Sequence, residues 1–313
     1  MTQIPRPEHP QPQMKREHWK NLNGEWDFSF DFGCSGIDQK WQEGKTDWEK
    51  KILVPFCPES DLSGIGYKDF IPGVWYHRTI TLTGEELKGD LLLHFGAVDY
   101  DARVWINGVE AGRHQGGYVS FTFDITKLVK EGENDITLFA ADDVRSGKQP
   151  KGKQSHFFYS RGCDYTRTTG IWQTVWLEWV PESYIEKVQY YPNLAEATLG
   201  IKAVVKGQGT LEAKAFYGGE PCGSVSAKSE DGTVTMTLPL SRLEKWEPGH
   251  GRLYDLTLTY GEDKVESYFG MREVRLDGEK FLINDKSVFQ RLVLDQGFYP
   301  DGIYTAPTEE ALV

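Results

Sequence analysis

The side chains that could do chemistry are mostly carboxylates: 47 Asp and Glu against 35 Lys and Arg in 313 residues. Two carboxylates held a fixed distance apart can serve as acid and base, but most of these sit on strand exteriors or turns, where solvation is their ordinary role. The four cysteines, Cys34, Cys57, Cys163 and Cys222, show no metal-ligand or redox spacing. No Ser/His/Asp arrangement, phosphate loop or zinc motif is present. One stretch stands apart. Between a strand ending near Asp142 and another starting at Gly170 runs "DVRSGKQPKGKQSHFFYSRGCDYTRTT". Structureless segments of this length are uncommon in compact domains and tend to be functional or disordered. Its Arg145, Lys148, Lys151 and Lys153 read equally well as a solvated face.

The rest of the chain must position that segment. Its length suggests two or three domains. At 39% hydrophobic and 26% charged residues, it is too apolar for disorder. The net charge of −12 disfavours nucleic acid and anionic lipid as partners, and no apolar run is long enough to span a membrane. The start of the chain has no apolar export core, and four cysteines make no disulfide scaffold, so a cytoplasmic protein with reduced thiols is expected. The 10 Trp, 15 Tyr and 16 Phe fit sheet cores first and sugar-stacking platforms second.

Residues 1–18 read as a polar, Pro-rich arm or strap. Strands and turns then dominate. "YVSFTFDI" alternates, placing Val119, Phe121, Phe123 and Ile125 on one face. "ARVWINGVEAGR" is a hairpin turning at Asn107-Gly108. "NDITLFAA" turns Ile136, Leu138 and Ala140 inward. "GIWQTVWLEWV" is apolar on both faces and therefore central. "ITKLVKEGEN" predicts the one short helix. From Tyr184 to Met271, about seven strands with regular turn signals read as an immunoglobulin-like sandwich without its disulfide. A small meander follows, turning at Asp277-Gly278 and Asn284-Asp285. Ser287 to Leu294 then reads as a buried strand, and "TAPTEEAL" as a helix start capped by Thr305 or Thr308.

Several stretches, in order, resemble the family 2 glycoside hydrolases, which include β-galactosidases, β-glucuronidases and β-mannosidases. They are "LNGEWDF", "GVWYHRTI", "VWINGVEAGRHQGGYVSFTFDIT", "GIWQTVWLE", "LYDLTL", "YFGMREV" and "FLINDKSVFQR". Each is weak alone; jointly they are specific and cover nearly the whole chain. The resemblance implies an all-β chain: a jelly-roll sugar-binding-like sandwich over residues 1–181 and an immunoglobulin-like sandwich over 182–272. Residues 273–313 would be the first strand and helix start of an incomplete TIM barrel. A barrel needs about 250 residues, so about forty cannot close one.

The family's chemistry, retaining O-glycoside hydrolysis, uses two glutamates about 5–5.5 Å apart. Both lie on later barrel strands, and the acid/base glutamate follows an asparagine. This chain has no Asn-Glu pair, so the resemblance implies no catalytic residue here and an inactive chain by itself. It implies two substrate-binding candidates. Asp164, six residues before Gly170-Ile171, matches an aspartate that reaches the sugar in galactosidases and glucuronidases, where its carboxylate accepts hydroxyl hydrogen bonds. An aspartate bonding its own loop is the bland alternative. Asp295 ends the expected first barrel strand, where residues line the pocket. No cofactor or protein-bound metal is expected, apart from a sodium ion near Asp164 in the full-length enzyme, as in galactosidases. The expected partner is carbohydrate, and a homo-oligomer stays open. One departure counts against galactose. Ile71-Pro72 stands where galactosidases often carry Asn-Pro, and isoleucine cannot donate that hydrogen bond; Asp69 is the nearest substitute. The competing reading is a stand-alone β-sandwich module that binds carbohydrate or partners without catalysis. A downstream reading frame containing an Asn-Glu pair separates the two.

Overall fold

The computed structural model describes residues 4–313. The chain forms two compact units: residues 4–10, 19–179 and 296–313, and residues 11–18 and 180–295. In the first unit the strands are β1 (Trp19–Asn21), β2 (Gly24–Phe30), β3 (Lys50–Val54), β4 (Gly73–Leu82), β5 (Asp90–Phe95) and β6 (Val98–Asp99). They continue with β7 (Asp101–Ile106), β8 (Val109–Gln115), β9 (Phe121–Asp124), β10 (Gly132–Ala141), β11 (Gly170–Ile171) and β12 (Val175–Val180). A six-stranded sheet runs β3-β2-β4-β10-β7-β8 and a four-stranded one runs β1-β12-β5-β9. As the apolar pattern on both its faces requires, β12 lies inside its sheet, between β1 and β5.

The period-2 alternation of β4 explains the layering. Val74 and Tyr76 enter the main core with Trp26, Phe28, Leu138 and Leu177. Trp75 faces the other way, stacked on Trp105 at 5.5 Å, and is still fully buried. Residues 31–49 cover it. The Asp31 carboxylate accepts from Gly36 N at 2.8 Å and from the Trp75 indole at 3.0 Å, which folds that segment back over the sheet. Gly36 is required there, because a Cβ would lie 2.5 Å from the Trp75 indole nitrogen. Such burial of a large ring stabilises by roughly 2–3 kcal/mol.

In the hairpin β7–β8, Ile106 pairs with Val109, and Asn107 and Gly108 adopt φ of 53° and 80°, the signature of a type I′ turn. Asn107 does more than turn the chain. Its side chain donates to Leu128 O and Asn134 Oδ1 and accepts from Asp135 N. These bonds overturn the helix expected in "ITKLVKEGEN". Only one turn forms, closed by Leu128 N to Ile125 O. Buried Asn134 takes both the N–H and the C=O of Lys130, and Asp124 takes the Thr126 N–H, so the groups a helix needs are already committed. Val119 also departs from expectation: β9 begins only at Phe121, and Val119 lies in the preceding turn, exposed. Phe121 and Ile125 are buried, as are Ile136, Leu138 and Ala140 of β10.

The second unit holds β13 (Tyr184–Asn193), β14 (Thr198–Lys206), β15 (Thr210–Tyr217), β16 (Glu220–Lys228), β17 (Thr233–Pro239), β18 (Tyr254–Tyr260) and β19 (Asp263–Phe269). They form sheets β13-β14-β17 and β16-β15-β18-β19, and no cysteine is bridged. Tyr254, Leu256, Leu258 and Tyr260 share the buried face. The hydroxyls of both tyrosines are satisfied, Tyr254 by Arg242 O and Tyr260 by Gly207 O. The chain's early residues pack as an extended strap. Lys15 exchanges backbone bonds with Glu266, and buried Arg16 holds Asp263 at 2.8 Å and 3.0 Å.

The meander forms as β20 (Val274–Asp277), β21 (Lys280–Ile283) and β22 (Lys286–Ser287), turning at Gly278 and at Asn284-Asp285 with positive φ. The buried strand expected from Ser287 to Leu294 does not form. The ladder stops after Val288 N to Phe281 O, and Phe289, Leu292, Val293 and Leu294 are exposed. A parallel strand draws its hydrogen bonds from neighbours, and among the described residues none is offered. The expected helix start is a single 3-10 turn, Glu310–Leu312, where Thr308 Oγ1 accepts from Ala311 N. Thr305 does not cap it: its buried hydroxyl lies between Trp172 O and Pro55 O. Residues before it join the first unit, with Ile303 packed on Cys57, Ala97 and Trp172.

Asn107→Val should destabilise the protein by about 3 kcal/mol, through strain at positive φ and three lost side-chain bonds. Asn107→Gly should recover only the strain and fall between the two. Urea unfolding of the three proteins checks this order.

Candidate functional site

The segment 143–169 lacks regular strands or helices, yet polar groups buried at its ends tie it down. Buried Arg167 donates to Ser155 O, Phe157 O, Phe158 O and Lys68 O, and its guanidinium lies 4.3 Å from the Phe70 ring. Burial pulls its basicity down. Gln154, fully buried, donates to Asp99 Oδ2 at 2.7 Å and accepts from Thr168 N at 2.8 Å. Thr169 donates through its hydroxyl to Asp142 at 3.1 Å and through its N–H to Glu59 at 3.1 Å. Gln149 adds a bond to Asp142 at 2.6 Å.

Three acids therefore meet the segment in the interior: Glu59, Asp99 and Asp142 are all buried. Asp99 Oδ1 and Glu59 Oε1 have no hydrogen-bond partner among the described residues. Burial first, and the neighbouring carboxylates second, push Asp99 up to about 8. Burial likewise lifts Asp142 to about 7 and raises Glu59. The same burial, with Glu59 beside it, pushes the Cys57 thiol far up, which makes it an inert core group and no nucleophile.

Asp164 lies on this anchored segment, part-exposed and outside the core. It closes a tight turn with Arg161 through reciprocal backbone bonds of 3.2 Å and 3.1 Å. Its carboxylate lies 3.5 Å from Lys151 Nζ and 3.9 Å from His156 Nδ1. Lys151 is itself held by Gln154 O at 2.6 Å, so it is not a solvated cation. The arrangement can accept hydrogen bonds from a polyol while staying charge-balanced. The Lys151 ammonium offsets the charge of the carboxylate beside it. Among the described residues, no group of three or more His, Cys, Asp or Glu is placed to hold a metal. Asp295 belongs to the second unit and is exposed. Ile71 is a core residue, and Asp69 bonds the N–H of its neighbour Phe70 at 2.7 Å.

Sequence reasoning reached Asp164 but missed Arg167, Gln154 and the three buried acids. Their only signal was the length of an ordered polar segment, which demands anchors.

The architecture and this loop define a tandem β-sandwich protein: a ten-stranded double sheet carrying a long anchored polar loop, and a seven-stranded immunoglobulin-like domain. The model for the glycosyl hydrolases family 2 sugar binding domain matches residues 19–181, and the glycosyl hydrolases family 2 model matches residues 183–272. The chain belongs to glycosyl hydrolase family 2. It is 25% identical over 286 residues to a β-glucuronidase of Paenibacillus borealis, covering 86% of this chain and 48% of that protein. It is 27% identical over 325 residues to the β-glucuronidase of Sus scrofa, with 90% and 48% covered. A β-galactosidase of Thermoanaerobacter pseudethanolicus is 28% identical over 229 residues, 67% of this chain and 30% of that protein. The solved β-glucuronidase of Ruminococcus gnavus shares the fold with a TM-score of 0.79 at 21% identity, over 94% of this chain and 52% of that one. The chain spans about half the length of the curated β-glucuronidases it matches.

The raised acids carry a pH signature. The unfolded chain ionises Asp99 and Asp142 near pH 4, whereas the folded chain keeps their protons to near neutrality. Their contribution to stability is therefore full below about pH 4 and is lost as pH rises toward about 8. Asp99→Asn keeps an acceptor for Gln154 and should remove about 3 kcal/mol of that loss between about pH 5 and about pH 8. Urea unfolding across that range, wild type against Asp99→Asn, measures the difference; parallel curves would contradict it.

Proposed function

We propose that this chain is the sandwich portion of a retaining β-glycoside hydrolase, in which a barrel supplies both catalytic glutamates and Asp164 hydrogen-bonds the sugar. The observation that carries this is the family match across both sandwiches, joined to an ordered, part-exposed Asp164 at the position the family resemblance marks. Asp295 is the second proposed substrate contact. No step requires a cofactor.

A β-glucuronide is favoured over a β-galactoside. The two relatives with the widest coverage described above are named β-glucuronidases. Ile71, buried in the core, cannot supply the asparagine contact expected in galactosidases. No observation favours the stand-alone module.

The 313-residue chain alone should hydrolyse nitrophenyl β-glucuronide, β-galactoside and β-mannoside no faster than blank; turnover with any of them would refute the assignment of catalysis to a barrel. In the barrel-bearing enzyme, Asp164→Asn should lower kcat/KM roughly tenfold to a hundredfold, the value of one charge-assisted bond of about 1.5–3 kcal/mol. The melting temperature should barely move. A lower melting temperature with unchanged kcat/KM would make Asp164 a turn residue only.

A further inference from the structure

The loop 155–161 places three consecutive aromatic side chains in solvent: Phe157, Phe158 and Tyr159 are 37%, 62% and 60% exposed. Single exposed aromatics are commonplace; three in a row on a fixed backbone are not. The backbone beneath them is fixed. Fully buried Ser155 accepts from Phe157 N at 3.1 Å and donates to Tyr159 O at 2.9 Å. Arg167 takes Ser155 O, Phe157 O and Phe158 O. Four of the five carbonyls from 155 to 159 are thus bonded, by buried Ser155 and Arg167. The rings of Phe157 and Tyr159 lie within 21° of parallel at 6.2 Å, His156 packs at 4.2 Å from Phe157, and Arg161 lies 5.1 Å from the Phe157 ring.

Charge selects the occupant. Between Arg145 and Arg161 the chain has five Lys and Arg and no Asp or Glu, in a protein of net charge −12. Arg145, Lys148, Lys153 and Arg161 are exposed, and none makes an ion pair among the described residues. A pyranose ring offers an apolar C–H face to an aromatic ring, whose π face is negative. A uronic acid adds a carboxylate that a guanidinium can grip through two parallel bonds.

We propose that the loop 155–161 is a carbohydrate-binding platform for uronate-bearing oligosaccharides, stacking a sugar ring on Phe157–Tyr159 and pairing its carboxylate with Arg161. This deepens the glycosidase reading and rests on it for the choice of a sugar. Its test is separate: the platform is read by binding to this chain, the glycosidase reading by hydrolysis in the barrel-bearing enzyme, and either can fail alone.

Isothermal titration of the 313-residue chain with hyaluronan tetrasaccharide should show saturable binding that weakens with added salt. Chitotetraose, its uncharged counterpart, should bind at least about tenfold more weakly. Arg161→Gln and Tyr159→Ala, which alter exposed side chains, should each weaken hyaluronan binding about tenfold or more with an unchanged melting temperature. Hydroxyl-radical footprinting of the wild-type chain should show protection over residues 156–161 and decides the matter should a variant misfold. Equal binding of chitotetraose, tighter binding of oligothymidylate, absence of saturable binding, self-association through this loop, or variants that bind like wild type would each overturn the proposal.

Discussion

A charged group taken out of water costs several kcal/mol unless partners replace the solvent. In the first sandwich, Arg167, Glu59, Asp99 and Asp142 are all buried, and nearly every partner they have lies on or beside the segment 143–169. Arg167 collects carbonyls, Asp99 takes Gln154, and Asp142 takes Gln149 and Thr169. That requirement, more than apolar packing, gives a long polar stretch one conformation. It also sets where the stretch re-enters the sheet. At Gly170 the φ is +73° and a Cβ would lie 2.4 Å from the Tyr76 hydroxyl, so only glycine lets the chain pass into β11.

The aromatic residues divide along the same lines. In β4, Trp75 and Tyr76 are neighbours that serve opposite faces, each fully buried. Trp75, Trp105 and Phe139 form a second small core, with Trp41 and Trp48 packed against it. This explains how a sheet facing only one sandwich partner keeps both surfaces apolar. Sheet cores absorb most of the chain's rings, which leaves Phe157, Phe158 and Tyr159 as the group that packing does not explain.

What was legible in the sequence was whatever depends on local period and turn chemistry. The Asn107-Gly108 hairpin, the inward face of β10, the seven strands from Tyr184 to Phe269 and the meander turns all form. What failed depends on distant partners. "ITKLVKEGEN" has helical composition, but Asn107 and Asn134, both outside its first turn, take the groups a helix would use. Val288 to Leu294 has strand composition but meets no neighbouring strand. Of the candidate site, Asp164 was legible through the family resemblance and the loop's length. The anchors were not, because a buried Asp99 or Arg167 looks in sequence like any surface charge; only the fold reveals which charges lost their water.

The anchoring also bears on what the loop can contribute. Preorganised groups bind with less loss of conformational entropy than groups ordered at the moment of contact. Asp164 is held from two sides, by the Arg161 turn behind it and by Lys151, which is pinned to Gln154 O. Gln154 in turn bonds Asp99, so a chain of contacts runs from an interior acid to the part-exposed carboxylate. Both Asp99 and Asp142 hold their protons to near neutrality. Ionising them would place negative charge beneath the loop without a compensating cation among their direct partners, which are amides and hydroxyls. The acids are thus tolerated as neutral hydrogen-bonding groups. Asp164 is positioned through Lys151 and Gln154 on an anchor that ends at Asp99.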